Sequence, residues 1–335
     1  MSLTKFPNGI YASPIVGGGD IGMFAGNNIY FVDGDNGSDA YDGKSPDAAK
    51  ATIQAAVTAA AAANVISKTG SVIYIKARYM AAGSANPVDY AETIIIPAAG
   101  GDRMALIGVP NGRTQGGLPQ IRKGSGSTAL LTIRAPGCLI ANLGFNGSGS
   151  SGGGILLDDN GSTKTAFGTT IVNCHFKSCV GSSATNAATG GAIQWASTGG
   201  GWQTLIKGNR FYNNVGDVVL LGTSVAVPQD VVIEDNVFSG PAANTDCNLY
   251  LAAGSGMNGV IIRNNTFTAF PAISTGTNLT FIVATGCVGI LDGNRFASNG
   301  KTFGAAGNVL IPTTMLMAQN YQEKSTSGSG EIFRT

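Results

Sequence analysis

The chain has 335 residues, 50 of them glycine and only 12% charged, with 20 Lys and Arg against 19 Asp and Glu. A net charge of +1 leaves no basic field of the kind nucleic acid requires, and no apolar run approaches the 18 or so residues of a membrane span. Charge so far below the roughly 25% of ordinary globular proteins calls for a surface covered by partner chains or by stacked polar residues.

Residues 1–27 are Gly-rich and aperiodic, so they cannot build a core of their own. They are expected to form an N-terminal docking arm held by another chain. No apolar stretch follows Lys5, so a secretory signal is not expected. Ile29-Tyr-Phe-Val32 has strand character and opens a cap over residues 28–70. The run from Asp33 to Gly43 has the composition of a tight turn. Its alternative use is a Ca²⁺ loop through Asp33, Asp35 and Asp39, although no Glu closes a twelve-residue loop there. Ser45 as N-cap and Pro46 in the first turn predict a helix over 46–64. Ile53, Ala56, Val57 and Ala60 fall on one face of it. Such a helix would close the open end of a strand stack.

Strand-like segments follow at Val72-Ile-Tyr-Ile75, Thr93-Ile-Ile-Ile-Pro97 and Ala105-Leu-Ile-Gly-Val109. Beyond them one phrase repeats: Ile206-Lys-Gly-Asn209-Arg-Phe211, Ile233-Glu-Asp-Asn236-Val-Phe238, Ile262-Arg-Asn-Asn265-Thr-Phe267 and Leu291-Asp-Gly-Asn294-Arg-Phe296. Looser copies run from Ile140 to Phe145 and from Ile171 to Phe176. A second strand follows each phrase after a loop, as at Gly154-Ile-Leu-Leu157, Ala192-Ile-Gln-Trp195 and Val218-Val-Leu-Leu221. Short strands at this period with no helix between them predict an all-β solenoid over 71–312, followed by a cap or tail over 313–335. The Ile five before the Phe has the opposite strand parity, so the chain must turn between them if both face inward. The Asn two before the Phe is expected at that bend, in the left-handed conformation and bonded to the Asn of the next rung.

These residues resemble the right-handed parallel β-helix family, the pectate-lyase-like superfamily. The resemblance covers about residues 28–300 and includes the cap sequence Tyr30-Phe-Val-Asp, Asp42-Gly-Lys-Ser-Pro and Thr52-Ile-Gln-Ala-Ala56. It implies a fold more than an activity, because one fold hosts many functions. Two outward columns follow from it. Four before the Phe stand Lys207, Glu234, Arg263 and Asp292, alternating in sign and expected to form a surface ion ladder. Six before it stand Leu139, Thr170, Leu205, Val232, Ile261 and Ile290, an apolar stripe that marks an interface. Parallel β-helices often pack three abreast along such a face, so Leu139, Leu205, Val232, Ile261 and Ile290 are the expected contacts of a homotrimer.

Catalytic signals are thin. Asp217, Glu234 and Asp235 are the candidate carboxylates for glycan cleavage, while Asp158-Asp159 and Asp217 also fit turns. His175 is the lone histidine, the five cysteines lack a CxxC, and no cofactor motif is present. The opening Thr4-Lys-Phe-Pro-Asn-Gly9 resembles the N-termini of tailed-phage structural proteins. That implies a capsid accessory protein in the virion, a decoration, cement or head-fibre subunit docking through Lys5, Phe6, Pro7 and Asn8. The alternative is a tailspike-type depolymerase or lyase acting on bacterial surface glycans, with Trp195 and Trp202 as candidate sugar platforms.

Overall fold

The computed structural model describes residues 28–80, 82, 87–110, 117–148, 152–158, 165–180, 191–195, 201–222, 228–241, 247–268, 280–297, 309–325 and 328–331. They form a parallel β-helix closed at its N-terminal end by one α-helix. Each repeat lays down a strand on a first wall, turns, lays one on a second wall, and returns through a third. One rung runs Leu139–Ala141, Gly144–Asn146, Ile155–Leu157, and the next runs Thr170–Val172, His175–Lys177, Ile193–Trp195. Successive rungs pair in parallel and in register on all three walls. The first and third walls join in a 16-stranded sheet, because Cys247–Arg263 and Thr280–Asp292 run continuously from the third wall into the first. The second wall is a 9-stranded sheet.

The repeated phrase builds the core. Ile140, Ile171, Ile206, Ile233 and Ile262 are fully buried from the first wall. From the second wall, Phe145, Phe176, Phe211, Phe238, Phe267 and Phe296 stack with centroids 4.8 to 5.0 Å apart. That spacing equals the rise between paired strands, so each ring sits offset on the next without leaving register.

At the bend the Asn ladder is present. Asn209 Nδ2 donates to Asn236 Oδ1 at 3.1 Å, Asn236 to Asn265 and Asn265 to Asn294 each at 3.0 Å, and Asn294 to Asn320 at 2.9 Å. Each Asn also donates to a carbonyl of the preceding rung, as Asn265 does to Ile233 O at 2.9 Å. The left-handed residue is not this Asn, however. It is the one before it: Asn142, Asn173, Gly208, Asp235, Asn264, Gly293 and Gln319 all have φ between 48° and 66°. The turn is made one residue earlier, which leaves the following Asn free to point its amide into the interior.

Four boundaries differ from the sequence expectation. The α-helix is Ile53–Ser67, with Pro46–Ala48 as a separate 3₁₀ turn. Its cap is Thr52, whose hydroxyl accepts from Ala55 N, while Ser45 makes no side-chain cap bond. Glu92 supplies what the sequence did not suggest: its carboxylate accepts from Ile53 N and Gln54 N, each at 2.8 Å. Two orphan donors at a helix N-terminus are thus satisfied by a negative charge. The solenoid also begins earlier and ends later than 71–312. Asn28–Val32 pairs with Ser71–Lys76 as the first rung. Met315–Ala318 and Tyr321–Ser325 add a further rung, and Gly328–Glu331 pairs antiparallel on the edge of the second wall.

Candidate functional site: the outer face of the first wall

Strand alternation sends every second side chain of the first wall outward. One outward column runs Ile29, Val72, Ala105, Leu139, Thr170, Leu205, Val232, Ile261, Ile290, Leu316, each opposite the next. The neighbouring column runs Phe31, Tyr74, Ile107, Ala141, Val172, Lys207, Glu234, Arg263, Asp292, Ala318 through the same pairings. Both extend the predicted columns in each direction. The second changes character between Val172 and Lys207, from apolar to charged.

Exposure changes at the same height. Val72, Ala105, Ile107, Leu139, Ala141 and Val172 are 0 to 7% exposed and form an apolar cluster of their own, separate from the core inside the solenoid. Above them Leu205, Val232 and Ile261 are half-buried, Ile290 is 41% exposed and Leu316 is 70% exposed. Leu139 therefore parts company with the other stripe residues: it faces outward but is already shielded within the chain.

The charged stretch neutralises itself. Lys207 Nζ lies 3.2 Å from Glu234 Oε1 and 3.9 Å from Asp235, and Arg263 Nε donates to Glu234 Oε2 at 2.6 Å. Burial alone would raise the Glu234 carboxyl, but hydrogen bonds from Arg263 and Lys207 outweigh it and hold the group below its ordinary range. A carboxyl so held is a poor proton donor near neutral pH.

The three candidate catalytic carboxylates do not share a site. Glu234 is on the outer first wall. Asp235 is the left-handed turn residue beside it, with a half-exposed side chain. Asp217 lies in the third-wall strand Gly216–Gly222 rather than in a turn, and is 1% exposed. Its carboxylate accepts from Asn214 Nδ2 at 2.8 Å and from Asn248 Nδ2 at 2.6 Å. Burial pushes its pKa up to about 7 against the pull of these two donors. Asn248 Oδ1 is buried and has no hydrogen-bond partner among the described residues. The cluster is an internal brace: Asn214 Oδ1 also accepts from Cys179 N at 2.8 Å, one rung below.

Other sequence candidates resolve into local structure. Asp33 accepts from Asp35 N and Asn36 N and pairs with Lys76 at 2.6 Å. Asp35 pairs with Arg78 at 2.8 Å, and Asp39 accepts from Ala51 N and Thr52 N. These carboxylates fasten the cap loop, and no group of three metal-ligating side chains comes together among the described residues. Trp195 is 3% exposed inside the third wall, which removes it as a sugar platform. His175 faces out of the second wall but is 9% exposed; burial, then Lys177 and Arg210, depress its pKa to about 4. All five cysteines are buried and none forms a disulfide. Asp158 pairs with Arg134 at 2.8 Å. Lys5, Phe6, Pro7 and Asn8 lie outside the described residues, as does Asp159.

What the sequence reading missed is the outer face below Leu139, the continuation of the second column through Ala141 and Val172, and the Asn214 and Asn248 partners of Asp217. The rungs below Leu139 were hidden because they lack the Ile-to-Phe phrase that carried the alignment.

No family model matches the chain, and no curated protein is significantly similar to it in sequence. Among solved structures, it is similar to a GH136 lacto-N-biosidase from Eubacterium ramulus. The identity is 10%, over 88% of this chain and 67% of that one, with a TM-score of 0.31. So loose a likeness carries no functional argument.

Proposed function

We propose that this chain is a structural component of a tailed-phage virion, a capsid accessory protein of the decoration, cement or head-fibre kind. It docks through its N-terminal arm, with Lys5, Phe6, Pro7 and Asn8 as the contact, and associates as a homotrimer along the upper first wall. One observation supports assembly over chemistry above all others. Leu205, Val232, Ile261, Ile290 and Leu316 leave an apolar column open beside charges that already neutralise one another. At about 4.8 Å per rung it runs roughly 19 Å. A stripe of that kind on an outer face marks an interface. Glycan cleavage would instead need two carboxyl groups facing one accessible space. Asp217 is enclosed with Asn214 and Asn248, whereas Glu234 stands on the outer first wall.

Sedimentation equilibrium of the full chain at micromolar concentration tests the association. Three times the 33.8 kDa chain mass is expected, falling to one chain mass in an Ile261→Asp, Ile290→Asp double variant. A wild-type monomer would sink the trimer. Docking is tested by stoichiometric binding to purified capsids, expected to be lost on removal of residues 1–9. Release of sugar from bacterial surface glycans that disappears in Glu234→Gln or Asp217→Asn would favour the depolymerase instead.

A further inference from the structure

We infer that the outer face of the second wall carries a binding site for a phosphate group, built from His175, Lys177 and Arg210. The register brings them together. His175 and Lys177 share one strand and one parity, and Arg210 stands opposite His175 on the next rung. Their strand neighbours Phe176 and Phe211 belong to the core, so all three side chains face outward. His175 is 9% exposed, Lys177 is half-buried and Arg210 is exposed. The imidazole is thus recessed in the wall, with two cations beside it.

Three observations point to a ligand. Burial and the charges of Lys177 and Arg210 act on the imidazole, and no hydrogen bond reaches its ring nitrogens among the described residues. A polar group so buried calls for a partner. Neither Lys177 nor Arg210 has an acidic partner among the described residues, whereas Lys76, Arg78, Arg122, Arg134, Lys207 and Arg263 each have one. The outward columns hold no acidic residue from Gly144 up to Arg295 or from Asn146 up to Ala297. Asp89, lower on this side, is already engaged by Gln120 and Arg122. Neighbouring like charges on a sheet repel, so the cations of this face lack a counter-charge. The third observation is room. Gly144 stands between Gln120 and His175 in the column. Neither a left-handed backbone nor crowding requires a glycine there, since an added Cβ would come no closer than 3.6 Å to Pro119 and Gln120. No side chain therefore fills the column directly beneath the imidazole.

The donor set selects the ligand. A guanidinium fork, an ammonium and an imidazole N–H can together surround one tetrahedral oxyanion. Two formal positive charges match a phosphate monoester, at about −1.5 to −2 near neutral pH, and exceed what a single carboxylate offers. A nucleic-acid backbone fits poorly, because it needs cations at successive phosphates. Above Arg210 its column offers Val237 and Thr266, and the next cation, Arg295, is three rungs away, roughly 14 Å at the usual strand spacing. The site therefore takes one phosphate, either the free ion or a monoester on a larger molecule.

The inference stands apart from the virion proposal, because it concerns the isolated chain. His175 is the only histidine in the sequence, so its ring resonances in NMR of the full chain report on this site alone. The probes are inorganic phosphate and methyl phosphate, each compared with sodium chloride at matched ionic strength. Saturable shifts of the His175 resonances are expected. Its pKa should also rise from about 4, because a bound anion offsets the two cations. Binding of both probes supports the site as one for a phosphate carried on a larger molecule, and binding of inorganic phosphate alone supports it as one for the free ion. Lys177→Gln and Arg210→Gln remove no ion pair among the described residues, and each is expected to weaken binding about tenfold or more. The absence of any saturable shift beyond that of sodium chloride would overturn the inference. So would a shift that keeps its affinity in both variants.

Discussion

The lower and upper rungs of the first wall share a backbone, a register and an inward Ile column, yet they present opposite outer faces. From Val72 to Val172 the two outward columns are apolar and buried except at half-buried Thr170 and Tyr74. From Lys207 to Asp292 one is charged, with Lys207, Glu234 and Arg263 paired to one another, while the other is apolar and open. The inner bend divides at the same height: Leu143 and Cys174 occupy it below, and the Asn ladder begins at Asn209 and runs to Asn320. A solenoid repeats its backbone without repeating its side chains, so one wall can hold a sealed segment and an exposed one within a few rungs.

The sharpest way to break this comparison is to place a carboxylate in the same column at two heights. Leu139→Asp puts an unpaired charge into a dry face, and we expect a loss of about 4 kcal/mol or more, enough to prevent folding of many domains. Ile290→Asp, at 41% exposure, should change the stability of the single chain by less than about 0.5 kcal/mol while abolishing self-association. Chemical denaturation and sedimentation on both variants give the two readings. Equal stability losses would erase the distinction between the halves.

Next in size is the inner ladder. Asn265 Oδ1 accepts from both Asn236 N and Asn236 Nδ2, each at 3.0 Å. Asn265→Leu, which copies what Leu143 does below, strands Asn236 N and one of the two amide hydrogens of Asn236, whose other stays on Ile206 O, at about 1–3 kcal/mol each. We expect a midpoint loss corresponding to about 3 kcal/mol in urea unfolding. A cost below about 1 kcal/mol would mean that the ladder is ornamental and that the apolar bend of the lower rungs serves equally well throughout.

Much of this was legible in the sequence, and the failures have physical causes. The Phe spacing gave the rung, and parity gave the outward columns correctly. The left-handed residue was misplaced by one position because the repeated Asn draws attention. The true turn residue varies among Asn, Gly, Asp and Gln, all of which enter that region more readily than branched residues. Asp217 looked like a turn because a Gly precedes it, and a one-dimensional string does not show that Asn214 and Asn248 converge on it. Glu92 capping the helix is likewise a contact between segments almost 40 residues apart.

Asp217 gives the third prediction, a pH dependence. Its folded-state pKa of about 7 lies above the ordinary value of 3.8. The folded chain therefore binds the proton more tightly than the unfolded chain across that interval. Its contribution is complete below about pH 4 and is lost as pH rises to about 7. Stability measured by urea midpoint should fall over that window by up to a few kcal/mol, and Asp217→Asn should flatten the slope. The side chain of Asn248 can turn to accept from the amide that this substitution introduces, because its Oδ1 has no partner to lose among the described residues. A slope unchanged by the substitution would assign the titration elsewhere.

Glu234 carries the opposite sign and the smallest effect. Its carboxyl is held low by Arg263 and Lys207 against burial, so its contribution is present above the ordinary carboxylate range and fades as pH falls through the depressed folded-state value. The Arg263 side chain is 49% exposed and that of Lys207 28%, so water and salt screen the pairs. Glu234→Gln should therefore cost no more than about 1 kcal/mol, and the difference from wild type should shrink as salt rises toward about 1 M. Lys207 and Asp292 flank the Glu234–Arg263 pair one rung to either side, so Arg263 keeps an oppositely charged neighbour after the change. A larger, salt-insensitive loss would mean that this stretch is sealed like the rungs below it, and the open face of the upper wall would then have to lie elsewhere.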